Sequence, residues 1–116
     1  MDDILEQALL YDFYGELLNN HQKEIYEQFI AEDLSLSEIA ESEGISRQGV
    51  HDLVKRCQKT LEGYESRLHL VRRFLSVKKK VQEMQSLLDS CESGKENQKE
   101  LFEQIRLLSD CILEML

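Results

Sequence analysis

Apolar residues along this chain recur at steps of three and four, the spacing that places them on one side of an α-helix. Ile4, Leu5, Ala8, Leu9, Phe13, Leu17 and Leu18 predict a first helix over residues 4–18 with these side chains facing inward, and Asn19-Asn20 marks a break. Ile25, Tyr26, Phe29 and Ile30 predict a second helix ending near Asp33. Ser35 followed by Glu38 has the spacing of a capping box, in which each side chain satisfies a backbone N–H that the helix start leaves open. It opens a short third helix, Leu36 to Glu43, with Ile39 and Ala40 inward. Gly44 stands where a helix ends in a left-handed residue, Ile45 can plug the core, and Ser46 caps a fourth helix. The inner stripe of that helix is Val50, Leu53, Val54, Cys57, Leu61, Tyr64 and Leu68, with Gly63 a point at which it kinks or ends.

From Leu70 a heptad-like seam follows: Leu70, Phe74, Val77, Val81, Met84, Leu88 and Cys91. After a turn at Ser93-Gly94-Lys95, a last helix repeats the spacing with Leu101, Ile105, Leu108, Ile112 and Met115. Two helices with matching seams and a short polar connection predict an antiparallel hairpin. The expected fold is therefore all-α: a helix-turn-helix bundle over residues 1–68, and a C-terminal helical extension over 69–116 packed on it or on a dimer partner. Two seams in so small a chain point to a homodimer.

Composition agrees with helices. The 116 residues include no proline, which breaks helices, and five glycines, which weaken them. No stretch approaches the run of about 18 apolar residues that a membrane span needs. Met1-Asp2-Asp3 is unlike the basic-then-apolar start of a signal peptide, so a cytoplasmic protein is expected. Cys57, Cys91 and Cys111 form no CxxC pair and sit among apolar residues, which predicts buried free thiols rather than a metal or redox site. The net charge of −9 opposes tight, indiscriminate nucleic-acid binding, but its distribution matters more. Residues 1–33 carry nine acids and one base, residues 34–80 ten bases and six acids, and residues 81–116 eight acids and three bases. A nucleic-acid surface would have to lie in the middle third.

That third contains the most informative stretch, Leu34 to Thr60, LSLSEIAESEGISRQGVHDLVKRCQKT. A short capped helix, a turn containing glycine and a Ser-capped second helix make a helix-turn-helix pattern. With Val50 facing the core, Gln48, Asp52, Lys55 and Lys59 project outward, His51 and Arg56 flank them, and Arg47 stands at the helix start. Early residues of a recognition helix meet base edges. Arg47 suits guanine or a phosphate and Gln48 suits adenine, while Lys55, Arg56 and Lys59 suit phosphates. Asp52 puts a carboxylate in the middle of this face, and Gly49 offers no side chain. The expected nucleic-acid-binding residues are Arg47, Gln48, His51, Lys55, Arg56 and Lys59. A second basic group, Arg67, Arg72, Arg73, Lys78, Lys79 and Lys80, includes three consecutive lysines that a helix cannot turn to one side. No nucleophile or carboxylate stands at a persuasive spacing from His21, His51 or His69, and no phosphate loop, HExxH or GxSxG occurs. An enzyme is not expected, nor is a cofactor or a metal.

The segment SLSEIAESEGISRQGVHDLVKR resembles sigma-factor region 4. A wider set, LYDFYGELLNNHQ at 10–22, EDLSLSEIAE at 32–41, GISRQGVHDLVKR at 44–56 and LEGYESRLHL at 61–70, resembles the YlxM family of small bacterial helix-turn-helix proteins. The chain departs from the usual SRQAVYD of that family at Gly49 and His51. Against sigma region 4, Asp52 and Gly49 replace side chains that would help read a promoter, so promoter recognition is not carried over. The YlxM resemblance implies an accessory or regulatory role in the signal recognition particle pathway, beside the particle's RNA, its GTPase Ffh or its receptor FtsY. The alternatives are a DNA-binding transcription regulator, and a protein-interaction module built on a vestigial helix-turn-helix.

Overall fold

The computed structural model describes residues 4–92 and 97–116. Among them the chain forms α1 (Ile4–Tyr14), α2 (Asn20–Ile30), α3 (Leu36–Glu43), α4 (Arg47–Leu68), α5 (Leu70–Glu92) and α6 (Gln98–Met115), with a 3-10 turn at Gly15–Leu17 after α1. It divides after Val71 into two compact units. The turn expected at Ser93-Gly94-Lys95 lies outside the described residues.

In the first unit, helix ends fall where side chains satisfy open backbone groups. Asn19 caps α2 through a reciprocal box with Gln22, so the break expected at Asn19-Asn20 is a capped helix start. The second helix closes at Ile30 rather than near Asp33, because Asp33 adopts a left-handed φ of 53° and turns the chain toward α3. Ser35 and Glu38 form the expected box at the start of α3, with bonds of 3.1 and 3.0 Å. The interaction holds the Glu38 carboxyl below its ordinary range, since the bound form is the charged one. Gly44 closes α3 at φ 70°, and Ser46 Oγ accepts the Gly49 N–H at 2.9 Å to open α4. The helix-turn-helix thus stands where the local signals put it.

Three expectations need correction. The inward face of α1 is Gln7, Leu10 and Tyr14, continued by Leu18, while Ile4, Leu5, Phe13 and Leu17 are exposed. The helix is apolar on several sides, so periodicity alone does not select a face. Two polar side chains take inward places because partners wait for them on α2 and α4. The fourth helix neither kinks into a new element nor ends at Gly63; it runs unbroken to Leu68 and stops at His69, which adopts φ 58°. At its edges Ile45 and Leu68 are exposed rather than core-facing.

The core gathers Leu10, Tyr14 and Leu18 with Ile25 and Tyr26 of α2, Ile39 and Ala40 of α3, and Val50, Val54, Cys57 and Leu61 of α4. Leu9, Phe29, Leu53 and Tyr64 pack around it. The Cys57 thiol is pushed up to about 11 by burial, which keeps it protonated and unreactive near neutral pH. Gly15 lies against the Tyr11 ring, where an added Cβ would come within 2.8 Å of the ring, so the close approach itself demands glycine.

In the second unit, α5 and α6 run antiparallel. Glu83, Ser86, Leu87 and Ser90 share a groove with Gln104, Leu107 and Leu108, while Arg72, Arg73 and Ser76 share another with Glu114 and Met115. The α6 stripe Leu101, Ile105, Leu108, Ile112 and Met115 is buried or half-buried as expected. On α5 the seam is rotated: Val77, Lys80, Met84, Leu87 and Cys91 are half-buried, whereas Leu70, Phe74, Val81 and Leu88 are exposed. Both stripes have heptad spacing, and the sequence alone cannot say which one meets α6. All three cysteines are free, but only Cys57 is buried; Cys91 is half-buried and Cys111 exposed, one position off the α6 stripe.

Candidate nucleic-acid interface

The outward face of α4 is set by its inward one. Val50, Val54, Cys57 and Leu61 are buried, and the helical turn of about 100° per residue then carries Gln48, Asp52, Lys55 and Lys59 to the opposite side. Arg47, Gln48, Lys55, Arg56 and Lys59 are exposed, and His51 is half-buried.

These residues separate into two groups. At the start of the helix, the Gln48 side-chain amide donates to Asp52 Oδ1 at 3.0 Å. His51 Nδ1 lies 3.5 Å from the same oxygen, shielded from water and without a hydrogen-bond partner. Asp52 therefore engages Gln48, one of the two side chains suited to base edges, while Arg47, the other, stands apart at the first helical position. One turn on, Lys55, Arg56 and Lys59 line a groove of about 460 Å³ together with Gln58, Glu62 and, from α1, Gln7. No carboxylate lies within ion-pair distance of those three cations among the described residues.

Gln7, which lines this groove, also belongs to a polar contact inside the bundle. Gln7 is 5% exposed, and its side-chain carbonyl accepts the Tyr26 O–H at 3.4 Å. Gln58 hydrogen-bonds the same phenol. Burial pushes the Tyr26 hydroxyl up to about 12, so it stays uncharged wherever the protein works near neutrality. The groove combines three solvated cations with two neutral amides, Gln7 and Gln58, and one carboxylate, Glu62, and its cations suit an anion such as a phosphate. Gln58 was not singled out from the sequence. Nor was Gln7, because nothing in a helix 48 residues earlier marks it as a neighbour of Lys55.

The second basic group does not form one surface. Lys78 and Lys79 are exposed but Lys80 is half-buried, and Arg72 and Arg73 line a groove with Glu114. Elsewhere His21, Glu24 and Glu43 bring ligand atoms within 4.8 Å of one another across α2 and α3. Glu43 already accepts the Gln28 side-chain amide at 3.0 Å, and His21 and Glu24 are exposed, so water serves these groups as well as a cation would.

Comparison with known proteins places this arrangement in a family. The family described as "Putative helix-turn-helix protein, YlxM / p13 like", UPF0122, matches residues 1–107. A UPF0122 protein of Caldanaerobacter subterraneus is 46% identical over 87 residues, covering 75% of this chain and 74% of its own. One from Desulforamulus reducens is 48% identical over 86 residues, 74% of each chain, and one from Acetivibrio thermocellus 48% over 84 residues, 72% of each. With that match across nearly its whole length and a helix-turn-helix at α3–α4, the chain belongs to the UPF0122 family of YlxM-like helix-turn-helix proteins.

Proposed function

We propose that this protein binds nucleic acid through the exposed face of α4, as an accessory or regulatory component of the signal recognition particle pathway and not as an enzyme. The observation that carries the binding reading is the grouping of Lys55, Arg56 and Lys59, free of ion pairs among the described residues, in one groove of an otherwise acidic chain. A net charge of −9 disfavours nucleic acid over the chain as a whole, so a local cationic groove on a helix-turn-helix is a place where phosphates are tolerated. The pathway rests on the YlxM resemblance, which makes the particle's RNA the first ligand to try and Ffh and FtsY the first protein neighbours.

Charge reversal tests the surface. In the double variant K55E/K59E both altered side chains are exposed, so the fold is expected to survive. Binding should fall by about tenfold or more at ~0.1 M salt, and the slope of log affinity against log salt should shrink by about 0.9 for each cation lost. Binding that is unchanged in the double variant would remove this face from the interface.

A protein-interaction module is the second reading. It is favoured by the apolar side chains left exposed on the second unit, among them Phe102, Leu107 and Leu113. Patches of this kind mark association surfaces. We propose that a second copy of the chain covers them in a homodimer. A pure interaction module would keep capturing its partner after loss of the basic groove.

A further inference from the structure

We infer that the protein grips the phosphate backbone of a duplex without reading its bases, and that Asp52 is the residue that imposes this. The inference deepens the nucleic-acid reading above and rests on it.

A helix-turn-helix reads sequence when side chains near the start of its second helix are free to meet base edges. Here that part of α4 is occupied by its own interactions. Gln48, the side chain suited to a bidentate contact with adenine, donates its amide to Asp52 Oδ1 at 3.0 Å. His51 approaches the same oxygen at 3.5 Å. An exposed hydrogen bond of this type is weak by itself. The carboxylate matters more, because it sits between Arg47 and the groove and is repelled by every phosphate that lines a duplex groove. Gly49 adds nothing that could reach a base. Of the side chains at the helix start, Arg47 alone points outward without being drawn to Asp52 among the described residues.

The groove one turn later has the opposite character. Lys55, Arg56 and Lys59 are solvated cations, and Gln7 and Gln58 add neutral amides to the lining. Glu62 lines the groove as well, opposite in sign to those three cations. Phosphate contacts position a protein on nucleic acid but carry no sequence information directly. A surface with a cationic groove and a self-occupied reading edge therefore binds by backbone. Three phosphate contacts on duplex DNA predict a salt slope near −3, at about −0.9 per phosphate.

The experiment uses the full-length protein with Q48A and D52N variants, both at exposed positions. Selection from a pool of random-sequence DNA duplexes is run beside a salt titration on one fixed duplex and on the pool. The expected result is retention of the pool without an enriched motif, Q48A binding within about twofold of the unaltered protein on every duplex, and D52N binding several-fold tighter on all of them. An enriched motif whose preference disappears in Q48A would overturn the inference while leaving nucleic-acid binding intact. D52N binding no tighter than the unaltered protein would overturn the role of Asp52. Failure of the unaltered protein to retain any duplex or RNA at moderate salt would instead remove the underlying nucleic-acid reading, and this inference with it.

Discussion

Tyr14 joins three parts of the first unit through one hydroxyl. The side chain is buried, its O–H donates to Glu65 Oε1 at 2.6 Å, and it accepts the Leu70 N–H at 3.1 Å. Glu65 Oε1 also accepts the Val71 N–H at 3.0 Å. These N–H groups open α5, where no preceding turn supplies a carbonyl, so Tyr14 and Glu65 together cap that helix after the left-handed His69 has ended α4. Burial first, and the Glu65 bond second, push the Tyr14 hydroxyl up, which keeps it a donor. Tyr14→Phe would leave a partly buried carboxylate and a backbone donor short of a partner, and a destabilisation of about 1–3 kcal/mol is expected. Denaturant midpoints with an unchanged m-value would report it; an unaltered midpoint would show that water replaces the hydroxyl without loss. None of this was legible in the sequence. Tyr14 and Glu65 are 51 positions apart, and an aromatic residue on an apolar helix gives no sign that its hydroxyl has an appointed partner. The Gln48–Asp52 bond is different in kind, since four-residue spacing on a helix brings such side chains together without help from the fold.

Elements were legible in proportion to how local their signals are. The α3–turn–α4 unit was read correctly because Ser35 with Glu38, Gly44 and Ser46 act within one turn of themselves, and each does what its type predicts. The inward face of α1 and the seam of α5 were misread for one shared reason: both helices carry apolar residues around more than half their circumference. The choice of face then belongs to the neighbour, which the sequence does not show. Gly63 is a third case. It looked like a break because glycine is a poor helix former, yet α4 continues through it in helical conformation, with nothing within 4 Å of the position an added Cβ would take. Gly63→Ala should therefore stabilise the protein by about 0.5–1 kcal/mol, since alanine restricts the unfolded chain and meets no obstacle. A thermal midpoint higher by a few degrees is the expected outcome. A lower midpoint would mean that the glycine is needed for a close approach by something outside this chain.

At the scale of the whole molecule, charge is segregated along the chain. Acids dominate both ends of the chain, and three cations of α4, Lys55, Arg56 and Lys59, share a groove with a single acid, Glu62. No helix among the described residues is long and apolar enough to cross a membrane. Apolar side chains stand exposed on α5 and α6, and a second copy of the chain is the partner proposed for them. Phe102 and Leu113 share one side of α6 and are 61% and 68% exposed, and isologous pairing of two copies would remove them from water. Sedimentation over a concentration series is expected to reveal a monomer–dimer equilibrium; a monomer at every concentration would rule out the second copy as the covering partner. The segregation of charge was readable from the sequence. The narrowing of the basic third to a groove shared with α1 was not, because it depends on the packing of α1 against α4.

The central claim, that the basic groove on α4 binds nucleic acid, is met most directly by a salt titration of the unaltered protein against signal recognition particle RNA, with an unrelated DNA duplex and isolated Ffh alongside. Retention of nucleic acid at low salt is expected, with an affinity that falls linearly in log salt and a slope set by about three phosphate contacts. Capture of Ffh alone, with neither RNA nor DNA held at moderate salt, would contradict it and make the helix-turn-helix a scaffold for protein contact.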